Sequence, residues 1–575
     1  MAAKRRRRKN RKMLGVFAII LLIVVVVIIL ALTMVIKKYT PSKETSNHTE
    51  YYGLTTESSM VVVVDNERSE INGLYMDGRA YVDYETVHDE MNLRFFWDGT
   101  EQVLRYTLPD ALISVGPDTS EYTLGKGKED AGYTICTVSD GVMYLALDFV
   151  KEYTDIRYKV YENPDRVVVS TQWGELSYTK VKKNTQIREK GGIKSPILAE
   201  VSKGDLVTII EEEENWAKVC SEDGFIGYLK KDCLGNQQTV EFQSTFEDVT
   251  YDKITKNYNI SLLWHMVTNQ TANQSIENVL ATSPGINVIS PTWFYLNDNK
   301  GGIMNLASSD YVTACHAKGV EVWALVNNME NPNVDMAAVL NTTSSRENLV
   351  NQLISAALRY DLDGINVDFE ALSGDVGDGF IQFVRELSLK CANNDIVLSV
   401  DNYPPSAYTG LYYRSEQANF ADYVILMAYD EHYKGSEAGS VASIGWVRQS
   451  VEDTLEEVPA DQLVLGIPLY TRVWKLTPDS ESDTGYKTTS EAVGMSEVDT
   501  RIAANDADMI WQEDVGQFYV EYEHAGSTYK IWVEEQNSIE EKMKVYKEQG
   551  LAGVAFWESG YEKATIWNAV KEYIQ

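Results

Sequence analysis

The chain has 575 residues, which is too long for a single hydrophobic core and predicts roughly three or four domains. Its composition, 44% hydrophobic and 11% aromatic, is that of an ordered globular protein. From residue 39 onward the chain carries 42 basic and 85 acidic side chains, so this part should be repelled by nucleic acid, which we exclude as a partner.

The first 38 residues have the opposite charge, with ten Lys or Arg and no acid. Residues 14–36 form an uncharged run rich in Ile, Val and Leu, long enough to cross a membrane as a helix. A cleaved signal peptide would have a shorter apolar region and a small-residue cleavage site, whereas Lys37 and Lys38 follow here. The sequence predicts a cytoplasmic tail over 1–13, a single-pass signal anchor over 14–36, and the remainder outside the cell membrane.

A flexible polar tether is predicted for residues 39–59. An internal repeat with an offset of 63 residues follows, in which the turn Asp77-Gly78 recurs as Asp140-Gly141. Each copy predicts a turn, a strand, a short helix and two more strands, and the pair predicts a duplicated α+β module over 60–174. The module resembles the copper amine oxidase N-terminal-like domains of bacterial surface proteins, but its one histidine, His88, gives no metal cluster, so we interpret it as a non-catalytic module.

Residues 178–236 change to short strands separated by Gly-containing turns. The stretch from Thr185 through Trp216 resembles a bacterial SH3-like domain, a resemblance that implies a spacer or a ligand in the cell wall. Cys220 and Cys233 fall within it and could pair, although two reduced thiols are favoured. The five cysteines of the chain show no metal-ligand spacing.

From residue 245 to 575, short apolar strands alternate with amphipathic helices, a pattern that predicts an α/β fold of the (β/α)₈ TIM-barrel type. Residues 475–535 are too long for one connection and predict an inserted β-rich lobe. A late helix is predicted to begin at Ser538, with Glu541 completing a capping box. The predicted barrel strands are 260–267, 287–291, 321–326, 364–368, 397–400, 423–427, 463–468 and 553–557.

The strongest functional motif is Asp363-Gly-Ile-Asn-Val-Asp-Phe-Glu370. Side chains of a strand alternate between its two faces, so Asn366, Asp368 and Glu370 share one face, with neighbours roughly 6.5–7 Å apart. Three polar groups on one face of an otherwise apolar strand are costly unless they meet a site. The alternative is a half-exposed strand with solvated acids.

Further polar and aromatic residues fall at the ends of the later predicted strands, where the active site of such a barrel lies. Together they suit a sugar, which has polar edges and an apolar face. The candidate substrate-binding residues are Asn366, Asn402, Met427, Asp430, Tyr470, Arg472, Trp557 and Trp293, and the candidate catalytic residues are Glu370, Asp368 and Tyr429.

The segment 362–370 resembles the signature of glycoside hydrolase family 18, the chitinase-like enzymes. Met427-Ala-Tyr-Asp430, Gly466-Ile-Pro-Leu-Tyr470 and Trp557 resemble further motifs of that family in the same order. Ser290-Pro-Thr-Trp293 is similar to its bacterial spore and cell-wall N-acetylglucosaminidase branch.

The resemblance implies a retaining mechanism in which the substrate supplies its own nucleophile, without metal or cofactor. Glu370 would be the general acid and base, and Asp368 would orient the acetamido N–H. Tyr429 would bond the acetamido oxygen, and Trp557 would stack beneath the sugar. Many members of the family carry Asp where this chain has Asn366, whose amide cannot hold a proton.

The sequence thus predicts a membrane-anchored, extracytoplasmic glycosidase that cleaves β-1,4 bonds next to N-acetylglucosamine. The anchor and the SH3-like domain favour peptidoglycan as the polysaccharide. The alternatives are a chitinase acting on chitin oligomers and a non-catalytic, sugar-binding wall protein. Relatives of the latter kind usually lose the terminal acid of the motif, and Glu370 is present.

Overall fold

The computed structural model describes residues 2–574, and these form two compact units. The first contains the residues up to Leu93 together with Pro117–Ser120 and Tyr133–Glu247. The second contains Arg94–Gly116, Glu121–Gly132 and the residues from Asp248 onward. The predicted module 60–174 is therefore divided between the two units.

The chain begins with the helix Ala2–Tyr39. Within it, Met13–Tyr39 is long and apolar enough to cross a membrane. Its apolar side chains are exposed, as Leu21 and Ile23 illustrate. A long helix that is apolar on all sides and lies near the N-terminus is typical of a membrane span or of a signal sequence.

The first unit contains two antiparallel-rich sheets. In one of them the turns Asp77-Gly78 and Asp140-Gly141 each have positive φ at both residues, the geometry that joins two strands by a tight hairpin. The short helices Tyr84–Glu90 and Leu147–Glu152 follow these hairpins. The strands of this sheet are Cys136–Ser139, Val142–Ala146, Arg79–Asp83, Gly73–Met76, Ser59–Val64, Arg166–Ser170 and Arg157–Tyr161 in spatial order, with Glu67–Arg68 at the side.

The second sheet of this unit corresponds to the predicted SH3-like domain. Its core contains Val207, Val219 and Leu229, all fully buried. Cys220 and Cys233 are buried free thiols. The strands in spatial order are Ile197–Val201, Thr185–Arg188, Ile226–Lys230, Trp216–Ser221, Leu206–Glu212, Gly174–Val181 and Leu234–Phe242.

The second unit is built around a closed barrel of eight parallel strands, which confirms the predicted fold class. The strands are almost entirely buried because side chains fill the inside and helices cover the outside. We number them β1 (Ile260–His265), β2 (Val288–Pro291), β3 (Glu321–Asn327), β4 (Gly364–Asp368), β5 (Val397–Asn402), β6 (Tyr423–Met427), β7 (Leu463–Pro468) and β8 (Gly553–Trp557).

The outer layer of the barrel consists of helices, most of them between consecutive strands, and a large apolar cluster fills the space between strands and helices. The helices are Ile276–Thr282, Ser309–His316, Met336–Leu340, Thr343–Tyr360, Gly377–Ala392, Arg414–Phe420, Ile444–Leu455, Gln536–Gln549 and Ile566–Ile574. A small hairpin, Phe294–Leu296 with Ile303–Asn305, follows β2.

The helix predicted to begin at Ser538 begins two residues earlier, and the predicted capping box is wrong. The cap is Glu535, whose carboxylate accepts hydrogen bonds from the backbone N–H of Asn537 at 2.8 Å and of Ser538 at 3.2 Å. Ser538 returns the bond, since its hydroxyl accepts from the backbone N–H of Glu535 at 2.9 Å. The acid is therefore the N-cap residue and the serine is the third helical residue, the reverse of the predicted order. Glu541 forms an ion pair with Lys544 instead.

The inserted lobe after β7 is a five-stranded antiparallel sheet with the helix Met495–Ala504. Its first strand starts at Tyr470, directly after β7, so the lobe rises from the barrel without a flexible linker. The strands in spatial order are Tyr486–Gly494, Tyr470–Pro478, Ser527–Val533, Gln517–His524 and Ile510–Gln512.

A second sheet, formed by residues far upstream, packs on the barrel helices of this unit. The carboxylate of Asp98 is buried and accepts a bond of 2.6 Å from the backbone N–H of Thr343, the first residue of a barrel helix. The helix's own N-cap residue, Thr342, makes no side-chain capping bond. The strands of this sheet are Phe96–Asp98, Val103–Thr107, Leu112–Val115, Glu121–Leu124 and Gly127–Asp130.

Charged groups fix the same sheet at a second point. Arg94 and Arg385 both bond the buried carboxylate of Glu416, with Nε of Arg94 at 2.8 Å and Nη2 of Arg385 at 2.7 Å. The two guanidinium groups lower the pKa of Glu416, although burial opposes this shift. Removing Glu416 would leave both guanidinium groups without this partner, so the segment that begins at Arg94 is tied to two of the barrel helices.

Asp98 provides a test of this attachment. Burial alone would raise its pKa, but the backbone N–H groups of Glu101, Thr343 and Thr100 outweigh it and hold the pKa below its ordinary value. We expect Asp98→Ala to lower the free energy of unfolding of the second unit by roughly 2 kcal/mol at pH 7, measured by urea denaturation. Because the charged form is the stabilising one, the difference from wild type should shrink as the pH falls below 3.8.

The matched control is Asp110→Ala, which removes an exposed carboxylate from the same sheet. It should change the free energy of unfolding by less than about 0.5 kcal/mol. Equal stabilities of Asp98→Ala and the control would show that the sheet does not support the helix Thr343–Tyr360.

Candidate active site

The polar face of β4 points into the barrel. Asn366 is fully buried and Asp368 is 8% exposed, whereas Glu370, just past the strand, is half-buried. The alternate residues Ile365 and Val367 pack outward into the cluster between strands and helices. The alternation predicted from the motif is therefore present, with depth increasing from Glu370 to Asn366.

The neighbouring strand β5 brings a second polar column beside the first. Asn366 is paired with Ser399 and Val367 with Val400, so the next step along both strands is Asp368 beside Asp401. One pleat higher, the hydroxyl of Tyr403 donates a 2.5 Å hydrogen bond to Oε2 of Glu370. The site is thus a ladder of three rows: Asn366 with Ser399, Asp368 with Asp401, and Glu370 with Tyr403.

Asn366 forms the floor of this ladder. Its side-chain oxygen accepts from Nε1 of Trp264 at 2.9 Å and from the hydroxyl of Ser290 at 3.1 Å. Its side-chain nitrogen donates to Asp401 at 2.7 Å and to Ser399 at 3.1 Å. With its amide occupied by four neighbours and no exposed surface, Asn366 supports the site from below and is not placed to touch a substrate.

Asp368 lies in the middle row in an unfavourable environment for a charge. Burial, and then the negative charge of Glu370, raise its pKa well above the ordinary value. Its Oδ1 is buried and has no hydrogen-bond partner among residues 2–574. A buried carboxyl oxygen without a donor is costly, and a ligand that supplies a donor would remove this cost.

Glu370 is held in place through its backbone. Its N–H donates to the side-chain oxygen of Asn328 at 2.9 Å, and its C=O accepts from the side-chain nitrogen of Asn328 at 2.9 Å. The next residue, Ala371, has φ of 52°, so the chain turns sharply after the acid. The carboxylate is left at the mouth of the barrel, accessible to a substrate.

Tyr429 and Met427 face the same mouth from β6. Burial raises the pKa of Tyr429 well above its ordinary value, and the nearby charges of Asp368 and Asp401 add to the shift. The phenol therefore remains a neutral hydrogen-bond donor at any physiological pH. Met427 is 8% exposed and adds an apolar surface beneath it.

One wall of the mouth is a polar cluster between β6 and the inserted lobe. Tyr470 donates a 2.5 Å hydrogen bond to Oδ1 of Asp430, and Nη2 of Arg472 lies 3.5 Å from the same oxygen. Nε of Arg472 is buried without a partner among the described residues. The predicted residues Asp430, Tyr470 and Arg472 are thus brought together.

Trp557 ends β8 and contributes an aromatic surface. Its ring meets that of Trp264 edge-on, with centroids 5.8 Å apart, which fixes its orientation. The next residue, Glu558, is buried, and burial followed by the charge of Glu562 raises its pKa to about 7.

Three of the predicted substrate-binding residues are not placed to touch a substrate: Asn366, which lies beneath the site, and two residues that lie away from this mouth. Asn402 is fully buried and exchanges side-chain hydrogen bonds with Gln417, on the outer helix Arg414–Phe420. Trp293 is also fully buried, donates to Asn273 at 2.8 Å and packs on Tyr311. Asn402 does not reach the mouth because side chains of a strand alternate between its two faces. Asp401 and Tyr403 point into the barrel, so Asn402 between them points outward. We correct the predicted set accordingly.

Asp401, Tyr403 and Asn328 also belong to the site, although from the segment 401–403 at the predicted end of β5 only Asn402 was selected as a substrate-binding residue. The alternation applied to β4 would have selected Asp401 and Tyr403 if applied to β5 from the same starting row. Asn328 follows β3, and its side chain contacts the backbone of Glu370. No pattern in the sequence indicates a contact of this kind. Within residues 2–574, no group of three or more His, Cys, Asp or Glu side chains is arranged to hold a metal ion.

Two protein-family models match parts of this chain. The model of glycosyl hydrolases family 18 matches residues 285–562, and that of the bacterial SH3 domain matches residues 183–235. The uncharacterized glycosylase YvbX of Bacillus subtilis (strain 168) is 24% identical over 299 residues, which are 50% of this chain and 84% of that protein.

Two further similar proteins are named as enzymes that lyse the spore cortex or its fragments. The cortical fragment-lytic enzyme of Bacillus subtilis (strain 168) is 27% identical over 236 residues, 40% of this chain and 54% of that protein, so the chain spans about half the length of this relative. The crystal structure of the Bacillus cereus spore cortex-lytic enzyme SleL superposes with a TM-score of 0.50 at 18% identity, over 58% of this chain and 78% of that one, and has the same fold. Residues 285–562 are therefore similar to family 18 glycosyl hydrolases and residues 183–235 to the bacterial SH3 domain, as the sequence motifs predicted.

Proposed function

We propose that this protein is a membrane-anchored, extracytoplasmic hydrolase that cleaves β-1,4 bonds next to N-acetylglucosamine, with peptidoglycan as its polymer. The reaction is retaining, and the acetamido group of the substrate is the nucleophile. Glu370 is the general acid and base.

The observation that carries this proposal is the unpartnered, buried Oδ1 of Asp368 beside Glu370. An acceptor of this kind matches a ligand with an N–H group, and the sugar that carries an N–H next to its anomeric carbon is a 2-acetamido sugar. Binding would give Oδ1 its missing donor and would place the acetamido group where Asp368 can orient it.

The chemical step follows from these positions. Glu370 gives its proton to the glycosidic oxygen while the acetamido carbonyl oxygen attacks the anomeric carbon, so one C–O bond breaks and another forms. The resulting oxazolinium ion is positively charged, and the carboxylate of Asp368 stabilises it. A water molecule then attacks the anomeric carbon and returns its proton to Glu370, which restores the acetamido group.

The other side chains of the mouth position the sugar. The neutral hydroxyl of Tyr429 donates to the acetamido oxygen, which aims that oxygen at the anomeric carbon. The ring of Trp557 stacks on the apolar face of the sugar. Asp430 and Arg472 present charged hydrogen-bonding groups to its hydroxyls.

Two features favour peptidoglycan over free chitin. The bacterial SH3 domain is a module suited to the cell wall, and the spore relatives are named for lysis of cortex or its fragments. In addition, an enzyme that is anchored in the membrane lies close to the cell wall, whereas free chitin would have to diffuse to it.

The decisive comparison is between wild type and Glu370→Gln, with Glu452→Gln, an exposed acid on a barrel helix, as the matched control. Products released from peptidoglycan, spore cortex and chitin oligomers are identified by mass spectrometry. Because the amide cannot donate or accept the catalytic proton, we expect the rate with Glu370→Gln to fall by about 10³-fold or more, and the control to match wild type.

Equal turnover by Glu370→Gln and wild type would rule out the mechanism. Release of products from chitin oligomers alone would rule out the wall polymer and leave a chitinase. Binding of all three polymers by wild type without any product would leave a sugar-binding protein.

The anchor has its own test. The exposed apolar surface of the helix Ala2–Tyr39 finds an apolar environment in the lipid, and the basic residues 4–12 favour a cytoplasmic N-terminus. We expect the full chain to sediment with membranes and resist high salt, and a chain lacking residues 1–39 to remain in the supernatant. Protease added outside spheroplasts should digest the catalytic unit. Recovery of the full chain in the soluble fraction, or protection from the protease, would contradict the proposed topology.

A further inference from the structure

A third carboxyl group, Asp401, lies inside the catalytic ladder and has no part in the mechanism described above. It is 2% exposed and points inward from β5 beside Asp368 of β4. Neighbouring strands of a sheet lie roughly 4.8 Å apart, so Asp368 and Asp401 are neighbours across the two strands, and the charge of Asp368 acts on Asp401.

Burial, and next the charge of Asp368, raise the pKa of Asp401 well above its ordinary value. Asp368 is shifted in the same direction. Two buried, adjacent carboxyl groups do not both ionise readily, and such pairs hold one proton between them. Of Asp368 and Asp401, one carboxyl group is therefore ionised and the other carries a proton.

The amide of Asn366 determines how Asp401 can use that proton. Its side-chain nitrogen donates to Oδ1 of Asp401 at 2.7 Å, so this oxygen is an acceptor and the proton belongs on the other oxygen. The titratable groups that face Asp401 are Asp368 and Glu370 from the β4 side and Tyr429 from the β6 side. The remaining neighbours of this amide, Ser399, Ser290 and Trp264, are neutral.

We propose that Asp401 is the proton partner of Asp368, a positioning residue that takes the proton while Asp368 is charged against the positive sugar and gives it back when the sugar leaves. The proton moves from one carboxyl oxygen to another, so the charge of the pair is unchanged and no other reactant is needed. This inference rests on the glycosidase function proposed above.

The test is a carboxyl swap. Asp401→Asn removes the proton-holding group while retaining its shape, and Asn366→Asp with Asp401→Asn moves the carboxyl one strand over. For Asp401→Asn we expect kcat to fall by at least about tenfold, with KM changed by less than about threefold. The acid limb of its kcat–pH profile should move to higher pH, because the O–H of Asp401 no longer holds Asp368 in its charged form. The double variant should recover most of kcat and the wild-type limb.

The matched control is Asp422→Asn, which replaces another buried acid. Asp422 accepts backbone hydrogen bonds from Ile254 and Leu398, and burial raises its pKa to about 6. Its substitution should lower stability without moving the kcat–pH profile. A purely structural role for Asp401 would give the same pattern as this control.

Each outcome decides the proposal. A profile of Asp401→Asn within twofold of wild type would overturn it, as would a folded double variant that does not recover activity. Failure of both variants to fold would assign Asp401 to stability alone and also overturn it. Wild type and Glu370→Gln are run in the same assay: if wild type hydrolyses nothing, the proposed function fails, whereas an active wild type with an indifferent Asp401→Asn removes only the proton partner.

Discussion

The parallel register of β4 and β5 places carboxyl beside carboxyl in the interior of the barrel, and the rest of the site depends on this juxtaposition. Asp368 and Asp401 are both almost fully buried, with Glu370 one pleat above. In water three acids would be charged and solvated, but here their burial makes each further charge costly. The site consequently has a shortage of positive charge and of N–H donors, which a 2-acetamido sugar and its oxazolinium ion would supply.

The surrounding protein keeps this arrangement from collapsing. Asn366 is held by four hydrogen bonds, one of which fixes the carboxyl of Asp401 in the row above. Tyr403 and Asn328 fix the side chain and the backbone of Glu370. Further out, the sheet of residues 96–130 caps the helix Thr343–Tyr360, which leads directly into β4. The site is thus supported both by the barrel strands and by the residues that directly follow them.

Much of this could be predicted from the sequence because its signals are periodic. All eight barrel strands lie where the apolar runs indicated, and the acid face of β4 follows from alternation alone. The failures have physical causes. Asn402 points outward because it alternates on β5 with the inward-pointing Asp401 and Tyr403. Trp293 is buried in the apolar layer between the strands and the helices of the barrel. Asn328, and the division of residues 60–174 between two units, depend on long-range contacts such as that of Asp98 with Thr343, which leave no local pattern.

In the reaction that we propose, the substrate's own acetamido group is the nucleophile, bound by Asp368 and oriented by Tyr429. The most direct measurement compares two oligosaccharides of equal length by proton NMR, one N-acetylated throughout and one with free glucosamine at the sugar whose anomeric carbon is attacked. The account predicts that the acetylated oligomer is cleaved with the β-anomer appearing first, and that the deacetylated oligomer is cleaved at least about 10³-fold more slowly. Comparable cleavage of both, or release of the α-anomer first, would contradict it.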